Sequence, residues 1–312
     1  MSNERLKIVS VNISERKGTV KHPVDEIELT IDGIINDAHA GPWNRQVSLL
    51  GTESIRKFEK EAGRRISPGE FAENITTEGL ELWKLQPLDR LICEETELEI
   101  TQIGKECHGT SCNIFKEVGN CVMPKEGIFA RIIHPGSLIS GKVLELHPKI
   151  YKIHTITLSD RASHGIYEDK SGPIIRDQVE HFFSGLHLPT LFIYSLIPDE
   201  PEQLGDLLVK SKEDQYDILI TTGGTGIGPR DFTPEVVRPF LDKEIPGIME
   251  MIRIKYGSEK PNALISRGIS GTMGETLVFT LPGSPKAVSE YLTEILKTLN
   301  HLIKMVHGLD QH

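Results

Sequence analysis

From the start of the chain to about His147, apolar residues come in short runs broken by Gly, Pro and Asn/Asp. Leu6–Ile13, Ile27–Ile31, Gln46–Leu50, Leu98–Ile103 and Val143–Leu146 have β-compatible composition with turn residues at their ends, which predicts strands. One segment has helical spacing instead: Ile55, Phe58 and Ala62 share a face of Glu53–Ala62, with Thr52 as the expected cap and Gly63 as the stop. Residues 1–147 therefore predict a β-rich domain, a small barrel or sandwich.

Beyond Tyr151 the pattern changes. Strand-like Lys152–Leu158 is followed by a helix from about Pro173, on which Ile175, Val179, Phe182 and Phe183 fall to one side. Strand Leu191–Leu196, a helix around Gln203–Ser211 and strand Asp217–Thr222 come next, then strand Thr276–Leu281. The last helix starts at Pro285, with Ser284 as its cap, and carries Val288, Leu292, Ile295, Leu299, Leu302 and Val306 at helical spacing. Alternating strands and helices predict a three-layer α/β/α domain over residues 151–312 with a mainly parallel sheet, joined to the first by His147-Pro148-Lys149.

Composition agrees with two folded domains. The 312 residues exceed one ordinary domain, and 38% apolar with 26% charged residues lets each half bury a core. No apolar run reaches the roughly 20 residues that span a bilayer, and Met1–Ser10 lacks a signal-peptide core, so a cytoplasmic location is expected. The net charge of -10 is spread over both halves: residues 1–150 hold 19 Lys+Arg against 23 Asp+Glu, leaving 16 against 22 for the rest. Without a basic stretch, neither nucleic acid nor an anionic membrane is an expected partner. Phosphate in a ligand must then be held locally, by backbone N–H groups, chosen cations and metal ions.

In an open α/β sheet, ligands bind beyond the carboxyl ends of the strands. Four segments there are chemically loaded: Ser159-Asp160-Arg161 through Asp169-Lys170-Ser171-Gly172, Pro198-Asp199-Glu200, Thr222–Pro234, and Pro282-Gly283-Ser284-Pro285-Lys286. The third, Gly223-Gly224-Thr225-Gly226-Ile227-Gly228-Pro229-Arg230-Asp231, is neither a Walker A loop nor a dinucleotide fingerprint. Its glycines suit close approach to an anion, Thr233-Pro234 is expected to cap a new helix whose N-terminus favours phosphate, and Asp231 is placed to hold Mg²⁺. The same residues also fit plainer roles: Asp231 as a cap, Asp199 as a turn residue, and Asp160 with Arg161 as a structural ion pair.

These segments resemble the MogA-type molybdopterin adenylyltransferases over about residues 152–306. The resemblance is carried by Leu158-Ser159-Asp160-Arg161-Ala162-Ser163, Leu196–Glu200, Thr221–Pro234, Pro246-Gly247, Ser266-Arg267 and Leu281-Pro282-Gly283. It implies adenylyl transfer from Mg-ATP to the terminal phosphate of molybdopterin with release of pyrophosphate. Asp199 and Asp231 would be the catalytic, Mg²⁺-binding carboxylates. Gly223, Gly224, Thr225 and Gly226 would hold phosphates, and Ser159, Asp160, Arg161, Asp169 and Ser171 would line the pterin side. Arg230, Arg267 and Lys286 would be counter-charges, with Ser284 at the head of the last helix. The resemblance also implies a homotrimer. The alternative from another class is a pterin-binding scaffold or carrier that catalyses nothing.

The four cysteines, Cys93, Cys107, Cys112 and Cys121, all lie in the first half, which in a reducing compartment argues for thiol or metal chemistry. About residues 5–146 resemble the MOSC domain through Gly33, Asp37, His39, Arg45–Leu50, Pro68–Thr76 and Gln102–His108; Leu88 departs from the family, which usually has Gly there. The resemblance implies a functional cysteine at Cys107 that carries sulfur or contacts molybdenum, and Lys105 or His108 nearby would favour its thiolate. His39, Arg45 and Asn74 are candidates for the same pocket and for an anionic ligand. A zinc or iron–sulfur site built from Cys107, Cys112 and Cys121 with His108 or His134 stays open, and Cys93 reads as structural. Both resemblances meet in molybdenum cofactor biosynthesis, and joining the domains would raise the effective concentration of one domain's product near the other.

Overall fold

The computed structural model describes residues 4–105 and 122–309, and these divide into two compact units, Met1–Lys149 and Ile150–His312. The first unit contains β1 (Arg5–Ile13), β2 (His22–Val24), β3 (Glu26–Thr30), β4 (Gly33–Ile34), β5 (Val47–Gly51), β6 (Ile75–Glu78), β7 (Arg90–Cys93), β8 (Thr96–Ile103), β9 (Ile128–His134), β10 (Gly136–Ile139) and β11 (Val143–His147). Strands run in the order β11-β7-β8-β9-β5-β6-β1, and β1 returns to β11 through Arg5↔Glu145, Leu6↔Leu144 and Lys7↔Val143, closing a barrel. β1 pairs with β6 on its other side, with a register shift between Ile8 and Ser10 in that ladder, and its far end, Val11–Ile13, pairs with β2. Alternate residues such as Leu6, Ile8, Leu49, Ile75, Leu98, Ile100 and Leu144 fill the interior. The expected β-rich barrel is thus present.

β5 and β6 are parallel, so a crossover must join them, and α1 (Thr52–Ala62) lies on that connection. It buries Ile55 and Phe58 and stops at Gly63 in the left-handed region, as the spacing predicts. Its cap differs from the expectation: Gly51 is the N-cap, Thr52 is already helical, and the Thr52 hydroxyl is buried without a hydrogen bond. The chain leaves β5 straight into the helix, so no residue is free to adopt the extended cap conformation after Gly51.

The second unit has β12 (Tyr151–Leu158), α2 (Asp160–Ser163), α3 (Ser171–Gly185), β13 (Thr190–Ile197), α4 (Pro201–Glu213), β14 (Ile218–Thr222), α5 (Thr233–Val237), β15 (Lys243–Glu244), α6 (Pro246–Gly257), β16 (Ser270–Met273), β17 (Thr276–Leu281) and α7 (Pro285–Val306). One face of the sheet packs Ile156, Leu158, Leu219 and Val278 against Leu204 and Leu208 of α4 and Val237 of α5. The other is covered by α3 and α7, with Tyr151 against Phe183 at 5.0 Å. The layering is as expected, but the sheet, β13-β12-β14-β17-β16-β15, is mixed rather than mainly parallel. β12, β13, β14 and β17 are parallel, while β16 and β15 are antiparallel. The cause is local: Gly274, at φ +61, turns β16 back onto β17 as a hairpin. Among the described residues no helix is long and apolar enough to cross a membrane.

Candidate functional site

The ends of β12, β13, β14 and β17 bring most of the loaded loops together. The Asp160 N–H donates to Asp199 Oδ2 at 3.0 Å, and the Asp199 N–H donates to Asp160 Oδ1 at 3.0 Å, so the loops after β12 and β13 hold each other. Arg230 adds a third loop: its guanidinium donates to Asp160 Oδ1 at 2.8 Å and to the Asp199 carbonyl at 2.7 Å. Asp231 follows directly and accepts the Gly228 N–H on Oδ2 at 2.7 Å. Asp199 and Asp231 thus each spend one oxygen on a loop, and among the described residues Oδ1 of each accepts no hydrogen bond. Burial, and then the negative charges of Asp160 and Asp231, raise the Asp199 carboxyl above its ordinary value, against the pull of the Asp160 N–H and Arg230.

The glycine loop is shaped as much by its own protein as by any ligand. Gly223 has φ +106, and a Cβ there would meet the Leu158 carbonyl oxygen at 2.3 Å; Gly224 has φ +62, and a Cβ would meet Thr233 Oγ1 at 2.4 Å. A Cβ on Gly226 would meet Asp231 Oδ2 at 2.7 Å, so this glycine admits the carboxylate beneath the loop. Thr233 does not cap: its hydroxyl donates to the Gly223 carbonyl at 2.9 Å, and Phe232 takes the cap position. The helix it opens, α5, has only five residues, so the expected phosphate-favouring helix terminus is replaced by a locked loop. Thr225 is buried and its carbonyl accepts the Arg267 N–H at 2.9 Å.

Arg267 is committed to the protein. Nε donates to the Gly226 carbonyl at 2.6 Å, one terminal nitrogen donates to the Asp231 carbonyl at 2.7 Å, and the other pairs with Glu235. It clamps the glycine loop to Asp231. Asp169 is also fully used: Ser171 N–H reaches Oδ1 at 2.9 Å, while Thr157 Oγ1, the Gly172 N–H and the Tyr194 hydroxyl reach Oδ2 at 2.9, 2.9 and 2.7 Å. Burial, then that bond to Asp169, pushes Tyr194 up to about 12. Ser171 Oγ donates to the Gly283 carbonyl at 2.8 Å, which ties the start of α3 to the loop after β17. Ser159 caps α2 by accepting the Ala162 N–H at 3.3 Å and meets the Tyr167 hydroxyl at 2.9 Å, and Arg161 lies over the Tyr167 ring. Ser284 is the N-cap of α7 but makes no side-chain cap bond, and Lys286 lies in the first turn beside Lys260. Thr157, Tyr194 and Glu235 escape sequence reasoning because their partners, Asp169 and Arg267, lie on other loops.

The first unit builds a second cluster. Asn74 Nδ2 donates to Asp37 Oδ2 at 3.1 Å, the His39 N–H donates to Asp37 Oδ1 at 2.9 Å, and Lys21 Nζ lies 2.5 Å from Asp37 Oδ2. Lys21 and Asp37 side chains are 1% and 0% exposed, and Lys21, with no motif to mark it, was not among the sequence candidates. Burial lowers the Lys21 ammonium; burial would raise Asp37, but hydrogen bonds from His39 and Lys21 hold it well below the usual carboxylate range. The Arg45 guanidinium lies 5.0 Å from the Trp43 ring and 5.9 Å from Phe129, with Nε buried and unbonded. Cys93 is buried, and burial raises its thiol, which fits a structural role. Cys107, His108, Cys112 and Cys121 lie outside the described residues. Among the described residues no three His, Cys, Asp or Glu side chains gather as a metal site.

Comparison with known proteins gives both units a family. Residues 154–301 match the family model described as "Probable molybdopterin binding domain", and residues 36–145 match the MOSC domain. The chain is 34% identical over 157 residues to a molybdopterin adenylyltransferase of Helicobacter pylori, covering 50% of this chain and 88% of that protein. It is 38% identical over 160 residues to molybdenum cofactor biosynthesis protein B of Staphylococcus aureus, covering 49% and 89%. To gephyrin of Dictyostelium discoideum it is 36% identical over 162 residues, which is 50% of this chain but only 22% of that longer protein. With most of two relatives covered above 30% identity, the chain belongs through its second unit to the MogA/MoaB family of molybdenum cofactor biosynthesis, and it carries a MOSC domain ahead of it.

Proposed function

We propose that the second unit is a molybdopterin adenylyltransferase that moves AMP from ATP to the terminal phosphate of molybdopterin and releases pyrophosphate. The observation that carries the reading is the meeting of Asp160, Asp199, Arg230 and Asp231 at the strand ends, with one oxygen of Asp199 and of Asp231 left unbonded by the described residues. The attacking group is a phosphate monoester, whose second proton is lost near pH 6, so its oxygen needs no strong base. The difficulty is bringing anions together in line, which calls for positioning and screening.

Two carboxylates suit Mg²⁺, which usually takes one or two protein carboxylates and completes its shell with phosphate and water oxygens. Asp199 and Asp231 would hold it, and when bound it would neutralise charge on the triphosphate. The raised Asp199 carboxyl fits this: a half-buried carboxylate with like charges beside it gains from a cation. The Gly223 N–H is donated to the Leu281 carbonyl at 3.1 Å, so the N–H groups of Gly224, Thr225 and Gly226 would take phosphate oxygens, from a loop that Arg267 and Thr233 already fix. Ser159 and Arg161 would face the pterin side, Asp169 and Ser171 would position α3 rather than touch substrate, and Ser284 and Lys286 would stand beside the start of α3, where Ser171 holds the Gly283 carbonyl.

For the MOSC unit we infer an anion-binding site at His39 and Arg45 and a thiol at Cys107 that carries sulfur or contacts molybdenum; Asn74, expected in the same pocket, is buried with its amide given to Asp37 and the Asn12 carbonyl, and would position Asp37 instead. The protein would work as a homotrimer in the cytoplasm. The test mixes purified protein with molybdopterin and Mg-ATP and measures pyrophosphate and adenylylated pterin. Product from the wild type and loss of it in Asp231→Asn are expected. An inactive wild type that still binds pterin would establish the carrier reading instead, and full cofactor maturation in cells carrying Cys107→Ser would remove the thiol role.

A further inference from the structure

β13 is an edge strand of eight residues, Thr-Leu-Phe-Ile-Tyr-Ser-Leu-Ile, paired with β12 in unbroken register from Tyr151↔Thr190 to Leu158↔Ile197. No described strand pairs with its outer side. Proteins blunt such edges with charged residues, proline, bulges or short length, because a row of free N–H and C=O groups recruits other chains. β13 has none of these devices. Only Ile197 is buried, while Leu191 and Tyr194 are 51% and 49% exposed. Beside it runs a groove of about 650 Å³ between the strand and α3, walled by Tyr167, Phe192 and Tyr194. The wall is preformed, since the Tyr194 hydroxyl is held by Asp169.

We propose that this edge and groove are a docking site for an extended segment of another protein bearing lysine or arginine side chains. The backbone of the segment would add a strand to β13, and its side chains would enter the groove alternately. Charge selects the occupant: Glu168, Asp169, Asp177 and Glu180 line the groove, and the one cation among its lining residues, Arg176, sits 3.7 Å from Glu180, which leaves the groove net acidic, with Glu168 and Asp177 as its open carboxylates. Arg161 and Arg176 already lie over the Tyr167 and Phe192 rings, so a cationic side chain would meet the carboxylates beside the Tyr194 ring. The same charge disfavours a two-fold pairing of β13 with its own copy, which would set two acidic grooves side by side. The proposal is independent of the adenylyl-transfer reading.

The test uses the full chain and labelled, end-capped peptides of alternating valine and lysine, with alternating valine and glutamate as the opposite charge. Fluorescence anisotropy is expected to show the lysine peptide binding at least about tenfold more tightly, a gap of about 1.4 kcal/mol. Hydrogen exchange at residues 190–197 should slow when it binds. Exchanging the exposed carboxylates, Asp177→Lys with Glu180→Lys, should abolish the preference while the melting temperature stays unchanged. Equal binding of both peptides, or binding without protection of β13, overturns the proposal. So does a β13 already protected in the free protein and exposed on dilution to single chains, which would give the edge to a second copy.

Discussion

Replacing Lys21 by methionine keeps its length and removes its charge from beneath Asp37. The pair is 2.5 Å apart with both side chains sealed from water, so the substitution leaves a buried carboxylate without its cation. Breaking such a pair costs about 3–5 kcal/mol. Asp37 retains the Ser14 and His39 N–H groups and Asn74 Nδ2 as donors, which places the loss near the lower end, about 3 kcal/mol. For a unit of this size that is a fall in melting temperature of roughly 6–12 °C. Trp43 and Trp83 are the only tryptophans of the chain and both belong to the first unit, so intrinsic fluorescence follows its unfolding alone. The pH dependence supplies a second reading. Asp37 titrates below its unfolded value of about 3.9 when folded, so its contribution is complete above that pH and is lost as pH falls towards the folded value. Acidification below about pH 4 should therefore cost the wild type more than Lys21→Met. A loss under about 1 kcal/mol, or parallel acid limbs, would refute the view that Lys21, beside His39, holds Asp37 charged.

Glu73 gives the opposite pH sign: burial raises its carboxyl, so its contribution to stability is complete below about pH 4 and declines as pH rises through the folded value, and Glu73→Gln should flatten that decline in fluorescence-monitored melts. Gly223→Ala sets a Cβ 2.3 Å from the Leu158 carbonyl oxygen at φ +106 and should destabilise the second unit by roughly 3 kcal/mol or more, seen as a lower calorimetric transition for that unit. Arg267→Lys keeps the charge but cannot span the Gly226 and Asp231 carbonyls and Glu235 together; a fall in pyrophosphate release of about tenfold or more, with nucleotide binding measured separately, is expected, and an unchanged rate would show that the clamp does not position the loop.

Much of this was legible because it is local. Strands ending in polar loops, the helix with Ile55 and Phe58 on one side, and the α7 stripe from Val288 all follow from spacing. What was missed depends on partners far along the chain. β16, Ser-Gly-Thr-Met, has no apolar run to announce it and becomes a strand only by folding back on β17. Lys21 looks like a surface lysine until Asp37 closes over it. Asp169 and Arg267 were legible as loop residues of the right type, but which of their atoms stay available was settled by Tyr194, Thr157 and the Gly226 carbonyl. Leu88 shows the reverse case. Its φ is +74, the region glycine adopts without cost, so its departure from the family marks a real strain, accepted by a side chain only 4% exposed.

The seam between β1 and β11 sets the order of events during synthesis. Arg5 must wait for Glu145, and at about 5–20 residues per second the ribosome takes on the order of ten seconds to deliver it. Until then β1 lacks one neighbour and keeps a bare flank, whereas β12 of the following unit finds β13 within a few dozen residues. A pause or truncation before residue 147 would release a barrel lacking its last stave, and such a species should be the one that chaperones hold.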